Sequence, residues 1–242
     1  MIIHKLIRHH IKHGDDDVFY EMQADDAIRW MREQSVQIGS KCSALDLATG
    51  CGIFGHRLVD CGVKVTFSDH HYSLREWMKD YGYNFQVLKI GEEPLSKLGK
   101  FDLVVCSNLI EHLPDLDAFI AEIPSVLNPD GILYLSWTNW FSPWGGHDFS
   151  PWHYFGAYLG PRIYDFIHGP GKRGHFPYAG LWPTHIGSTL LKIAKQPRLK
   201  VVAVAPRYYT EHAWLMNIPI LREFLAWNCA ILVQHVPMRL GA

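Results

Sequence analysis

The chain has 242 residues, 48% of them hydrophobic and 19% charged, enough for one substantial core but not for two generous ones. Its 23 Lys and Arg balance 24 Asp and Glu, and a net charge of −1 argues against a dedicated nucleic-acid-binding protein. The apolar fraction also excludes a disordered chain.

His4, His9, His10 and His13 form a basic-aromatic arm that reads as a surface appendage. Residues 18–34 predict an amphipathic helix, because Phe19, Met22, Ile28 and Met31 recur near the 3.6 period and Asp15 to Asp17 sit at its positive end. β-type runs follow at 43–48, 63–68, 84–90, 101–107 and 132–137, with helix-length segments at 53–61, 72–81 and 115–127 between them. This alternation predicts a parallel sheet covered by helices on both faces. Gly62, Gly82 and the Asn128-Pro129-Asp130-Gly131 turn close the helices.

From 138 to 183 the rhythm stops. Of 32 aromatic residues, 14 lie between Trp137 and Trp182, where an even spread would place about six. That segment reads as an aromatic cap over the end of the fifth strand. A helix at 184–195 and strands at 199–205 and 229–234 then finish the sheet.

Five scattered cysteines (42, 51, 61, 106, 229) lack any C-x-x-C spacing, which argues against a disulfide framework and fits a reducing, cytoplasmic setting. The apolar N-terminal stretch is interrupted by His4 and Lys5, unlike a secretory signal. Residues 213–234 carry Pro219, Arg222 and Glu223, so no transmembrane segment is expected.

The strongest motif is Asp46-Leu47-Ala48-Thr49-Gly50-Cys51-Gly52-Ile53-Phe54-Gly55, a strand entering a glycine-rich turn and then a helix. Glycines there let backbone approach a ligand closely, and Asp69 at the end of the second strand suits the two hydroxyls of a ribose. The glycine spacing alone also satisfies a dinucleotide site, so NAD competes. Asp46 favours a cationic ligand instead, since a carboxylate facing the loop mouth would repel a pyrophosphate and welcome the ammonium and sulfonium of S-adenosylmethionine.

Asp46-x-x-x-Gly50-x-Gly52, Asp69, the run from Phe101 to Leu113 and the Leu127-to-Gly131 turn together resemble the class I S-adenosylmethionine-dependent methyltransferases over roughly residues 40–137. The resemblance implies an α/β, doubly wound, mostly parallel seven-stranded Rossmann-like sheet in one domain, with the aromatic cap inserted after the fifth strand. Its parts would be an N-terminal arm and helix (1–39), a cofactor-binding core (40–137), the cap and return helix (138–198) and the final strands (199–242). It further implies that Asp46, Gly50 and Gly52, with backbone at Ala48 and Thr49, hold the methionine portion. Asp69 would bind the ribose and His70 would lie by the adenine. Gly91 follows the third strand, with the family's usual acid displaced to Glu92 or Glu93, and Ser107 and Asn108 would flank the transferable methyl.

An acceptor hydroxyl must lose a proton, so a base should face the methyl group. His147, in a glycine-flanked loop past the fifth strand, is the first candidate, with His112 and His153 behind it. Some ubiquinone-pathway O-methyltransferases hold a divalent metal such as Mg on a Glu-x-x-Glu-His run here. In this chain Asn108 replaces the first acid, leaving Glu111 and His112 as candidate ligands, with Asp148 of the cap loop as a further one; capping of the next turn by Glu111 and His112 is the structural alternative. The favoured function is O-methylation of a hydroxylated small molecule, with saccharide ahead of phenol. A weaker resemblance of the Gly145-to-His153 stretch, together with Leu221-to-Leu225 and Trp227-to-Cys229, to bacterial methyltransferases, some tied to sugar O-methylation, points the same way. The alternative from another class is a non-catalytic cofactor-fold protein, or a module touching a membrane surface through the apolar, basic C-terminal part.

Overall fold

In a computed structural model, which describes residues 1–237, seven strands form one sheet. They are β1 (Ser43–Leu47), β2 (Lys64–Asp69), β3 (Asn84–Val87), β4 (Phe101–Ser107), β5 (Leu127–Thr138), β6 (Leu199–Pro206) and β7 (Asn228–His235). Their order is β3-β2-β1-β4-β5-β7-β6. The first five run parallel, and β7 lies antiparallel to both neighbours. Seven helices accompany them: α1 (Ile3–His13), α2 (Asp17–Glu33), α3 (Ile53–Asp60), α4 (Leu116–Val126), α5 (Gly156–His168), α6 (Ile186–Ala194) and α7 (Pro219–Leu225).

The central strands read as unbroken apolar runs because both faces are covered. Leu45, Leu47, Val104, Cys106, Leu133 and Leu135 enter one core with Phe119 and Ile123 of α4 and Ile186 and Ile193 of α6. Their alternates Ala44, Leu103, Val105 and Tyr134 enter the other, with Ile28, Trp30 and Met31 of α2 and Leu58 of α3. All these side chains are buried. The opposed cores leave the carboxyl ends of β1, β2, β4 and β5 as the edge where loops gather.

Four expectations change. The histidine-bearing arm is the helix α1, docked through buried Ile3 and Leu6 on Tyr208, with the Ile2 N–H donating to the Tyr208 carbonyl at 3.0 Å. Its interleaved histidines hid the apolar positions 3, 6 and 7. The predicted helix at 72–81 shrinks to a 3-10 turn at Glu76–Tyr81, because Leu74 and Met78 are buried beneath the glycine loop. Strand β3 ends at Val87, and β5 starts at Leu127 with residues 128–131 bulging between two registers, Asp130 at φ +62°. Within the segment that showed no period lies α5, which Gly156, Gly160 and Pro161 disguise. A side chain at Gly160 would meet the Trp152 carbonyl oxygen at 2.3 Å, so close packing and not flexibility selects the glycine there.

The predicted return helix is α6, and residues 210–225 form a 3-10 segment followed by α7. Residues 238–242 of the predicted 199–242 segment lie outside the described residues. Among the described residues no helix is long and apolar enough to cross a membrane.

The docking of α1 gives a stability prediction. Leu6→Ala should lower unfolding free energy by about 2–4 kcal/mol, the usual loss for a buried leucine. Urea titration, with proteolysis near residue 14 as a local readout, measures it.

Candidate active site

Asp46 sits at 3% exposure under the glycine loop. Its Oδ2 accepts the Thr49 O–H at 2.5 Å and the Gly55 N–H at 2.9 Å. Asp46 is therefore a brace inside the loop, which corrects the expectation that its carboxylate projects into the mouth. Desolvation is the main cause that pushes its pKa from the ordinary 3.8 up to about 7, against the two hydrogen bonds. A side chain at Gly55 would meet Phe67 at 2.3 Å and Asp46 Oδ2 at 2.8 Å, so this turn requires the glycine. Gly55 also belongs to the first turn of α3, and the carboxyl thereby occupies the helix N-terminus that a pyrophosphate would need.

The loop backbone is held open. Ala48, Gly50 and Gly52 all have positive φ (+55°, +54° and +83°), and the Thr49 N–H donates to the Ser68 carbonyl at 3.0 Å. Asp69 accepts the Gly50 N–H on Oδ2 at 2.9 Å and the His70 N–H on Oδ1 at 2.7 Å, with His70 Nδ1 2.6 Å from the same oxygen. Beside it opens a cavity of about 390 Å³ whose lining includes Ala48, Asp69, His70, Ile90, Glu92 and Leu109. Gly91 forms the backbone corner at φ +85° between two lining residues, and Glu93 is instead tied to Lys97 at 2.9 Å.

At the end of β4, Ser107 Oγ accepts the Ser136 O–H at 3.2 Å. Asn108, at φ +55°, donates its N–H to the Ser136 carbonyl at 2.7 Å and accepts on Oδ1 from Arg207 Nη1 at 2.9 Å. Arg207 is 3% exposed and reaches across from the end of β6. Sequence reasoning missed it, since nothing in the spacing of a lone arginine 99 residues away links it to Asn108.

The histidines divide. Glu111, 1% exposed, accepts the Thr138 N–H on Oε1 at 3.0 Å, while its Oε2 is buried without a partner, and burial pushes its carboxyl up. His112 Nδ1 lies 2.6 Å from the Gly180 carbonyl. His147, at φ +50°, brings its ring to 5.2 Å from His112 and 4.8 Å from His175. Its Nε2 is buried and unpartnered.

Burial first, then the neighbouring His112 and His175, push His147 down to about 4. It is not the base titrating near neutrality that its sequence position suggested. Asp148 is not among the clustered ligand atoms: it accepts the backbone N–H groups of Gly174 and His175 and lies 3.3 Å from His175 Nδ1. The third ligand-bearing side chain beside Glu111 and His112 is His147, with their donor atoms within 4.8 Å of one another. His153 is fully buried beneath Gly146 with Nε2 2.9 Å from the Ser142 carbonyl, which corrects its candidacy as a base to a packing role. His175 was not singled out from sequence, because only the cap fold brings it to the other two.

Residues 45–133 match the family model described as "Methyltransferase domain". An "Uncharacterized methyltransferase" of Mycolicibacterium paratuberculosis is 31% identical over 141 residues, covering 55% of this chain and 51% of its own length. The aligned stretch thus spans about half of that curated relative. A protein of the same name from Mycobacteroides abscessus is 24% identical over 241 residues, covering 89% of this chain and 86% of its own. Among solved structures, an S-adenosylmethionine dependent methyltransferase from Mesorhizobium loti shares the fold at TM-score 0.56 and 16% identity, covering 87% of this chain and 98% of its own. Residues 45–133 thus match a methyltransferase domain, and the chain, with the strand order and glycine loop described above, shares its fold with S-adenosylmethionine-dependent methyltransferases.

The buried Asp46 gives a signed pH prediction. Its folded pKa lies above the unfolded one, so the native state binds the extra proton and stability contributed by the group falls as pH rises from about 4 to about 7. Asp46→Asn keeps an acceptor for Thr49 and Gly55 without titrating. Urea midpoints across that window should move in the variant's favour relative to wild type as pH increases.

Proposed function

We propose that the protein transfers the methyl group of S-adenosylmethionine to a hydroxyl of a small molecule. The observation that carries this reading is the cavity beside Asp69, which lies where β1, β2 and β3 end and next to the open glycine loop. Adenosine fits its mixture of apolar walls (Ile90, Leu109) and acidic groups, with Asp69 for the ribose and His70 and Glu92 nearest the base. The methionine portion would run along Ala48, Thr49, Gly50 and Gly52 toward Ser107 and Asn108. In-line displacement then needs only an aligned acceptor and a place for its proton. A cytoplasmic location is part of the same reading, supported by five free cysteines.

Two basic side chains of residues 159–200 are already paired and so are poorly placed to receive an anionic acceptor. Arg173 is paired with Asp165 at 2.8 Å, and Lys192 pairs with Asp117.

The prediction is direct. Calorimetry should register binding of S-adenosylhomocysteine and no heat with NAD, and Asp69→Asn should weaken the former about tenfold, the worth of one charge-assisted hydrogen bond. Equal affinity in the variant would place the ribose elsewhere.

A divalent metal is supported by one specific observation: Glu111 Oε2 and His147 Nε2 are both buried without partners in one cluster. The Gly180 carbonyl fixes hydrogen on His112 Nδ1, leaving Nε2 its lone pair as a ligand. A carboxylate with two imidazoles suits zinc better than Mg. Zinc titration of the chelator-treated protein should show one site per chain, weakened at least tenfold in Glu111→Gln and His147→Ala; no binding would leave the cluster structural.

A further inference from the structure

We infer that the methyl acceptor is a phenol-type hydroxyl compound, held in a chamber between the N-terminal helices and the ends of β4 and β5, with His10 receiving its proton. This rests on the methyl-transfer reading above. The chamber measures about 400 Å³, within the range of small-molecule sites. Ile7, Ile11, Phe19 and Tyr20 of α1 and α2 line it, and Asn108 and Thr138 line it at the strand ends. Leu109 lines the cavity beside Asp69, so two consecutive residues at the end of β4 border the two cavities. A donor seated in the first and extended past Asn108 presents its methyl group to the second.

The lining selects an aromatic body over a sugar. A saccharide needs polar partners around its whole rim, and the chamber's polar groups are largely bonded to one another. The Tyr208 hydroxyl donates to Gln23 Oε1 at 2.8 Å, Asn228 Nδ2 donates to Thr138 Oγ1 at 3.0 Å, and Asn108 Oδ1 is held by Arg207. Flat apolar rings suit the remaining surface.

His10 is the polar exception. Its Nδ1 lies 2.8 Å from Asp15 Oδ1, which fixes hydrogen on Nδ1 and leaves the Nε2 lone pair as an acceptor. Asp15, in the turn between α1 and α2, lines the same chamber and positions the imidazole of His10 in the last turn of α1. In the step itself the phenol oxygen forms a bond to the methyl carbon while the carbon–sulfur bond breaks. Its electron pair goes to sulfur, converting sulfonium to thioether, and the hydroxyl proton passes to His10 Nε2, leaving an imidazolium beside Asp15.

The test uses the full chain loaded with S-adenosylhomocysteine and three probes: 2-naphthol, 2-methoxynaphthalene and methyl glucoside. Fluorescence should show saturable 2-naphthol binding, several-fold tighter than its methyl ether and not displaced by excess methyl glucoside. Ile11→Glu, at a position 77% exposed and so tolerant of charge for folding, should weaken 2-naphthol at least tenfold and leave S-adenosylhomocysteine affinity unchanged. His10→Ala should abolish the preference for 2-naphthol over its ether and slow labelled-methyl transfer from S-adenosylmethionine to 2-naphthol by about a hundredfold. Intact S-adenosylhomocysteine binding without saturable 2-naphthol binding, displacement by the glucoside, or an Ile11→Glu variant that binds normally overturns the chamber while the donor reading stands. Binding without label transfer, or unchanged transfer in His10→Ala, overturns the base. Failure to bind S-adenosylhomocysteine overturns the donor reading itself.

Discussion

A single buried carboxyl, that of Asp46, fixes the shape of the glycine loop. Its Oδ2 ties the Thr49 hydroxyl to the first turn of α3, so strand, loop and helix share one anchor. Removed from water, the group is costly when ionised, and two good hydrogen bonds offset only part of that cost. The loop can therefore present backbone outward with three residues at positive φ, because its inner side is already satisfied. Asp69 clamps the outer side through the Gly50 N–H.

Among the described residues, three of the six non-glycine residues at positive φ lie at the same edge of the sheet. Ala48 follows β1, Asn108 follows β4 and His147 lies in the cap beyond β5, each at a φ between +50° and +55°. Such conformations persist where the surroundings over-determine them. For Asn108 the surroundings are the Ser136 carbonyl and the buried guanidinium of Arg207. Asn108 lines the chamber under α1, and the next residue, Leu109, lines the cavity beside Asp69. Two opposed cores behind the sheet make the edge rigid enough to hold that geometry.

The N-terminal helices and the cap address different sides of this edge. Two histidine–aspartate contacts, His9 with Asp16 and His10 with Asp15, staple the turn between α1 and α2 over one side. The cap carries His147 and His175 to His112 on the other. Titratable groups thus flank the strand ends from both directions. Burial decides how they differ: His147 is driven toward a neutral ring, whereas the His10 and Asp15 pair remains half open to solvent.

Local pattern in the sequence determined the strand–helix alternation, the sheet's parallel character, the glycine loop and Asp69, because each rests on near neighbours: apolar runs, turn residues and strand ends. Helices broken by histidine, glycine or proline escaped that pattern, which is why α1 and α5 were read as arm and loop. Orientation and partnership were decided only by the fold. Nothing in the spacing of Asp46 says that its carboxyl turns inward, or that Asp148 faces residues 174–175 while His147 joins Glu111. Nor could composition bring His10 to one chamber with Asn108, or Arg207 to its Oδ1. Those relations depend on how elements far apart in the chain pack, and burial then sets the hydrogen bonds and charge states that chemistry requires.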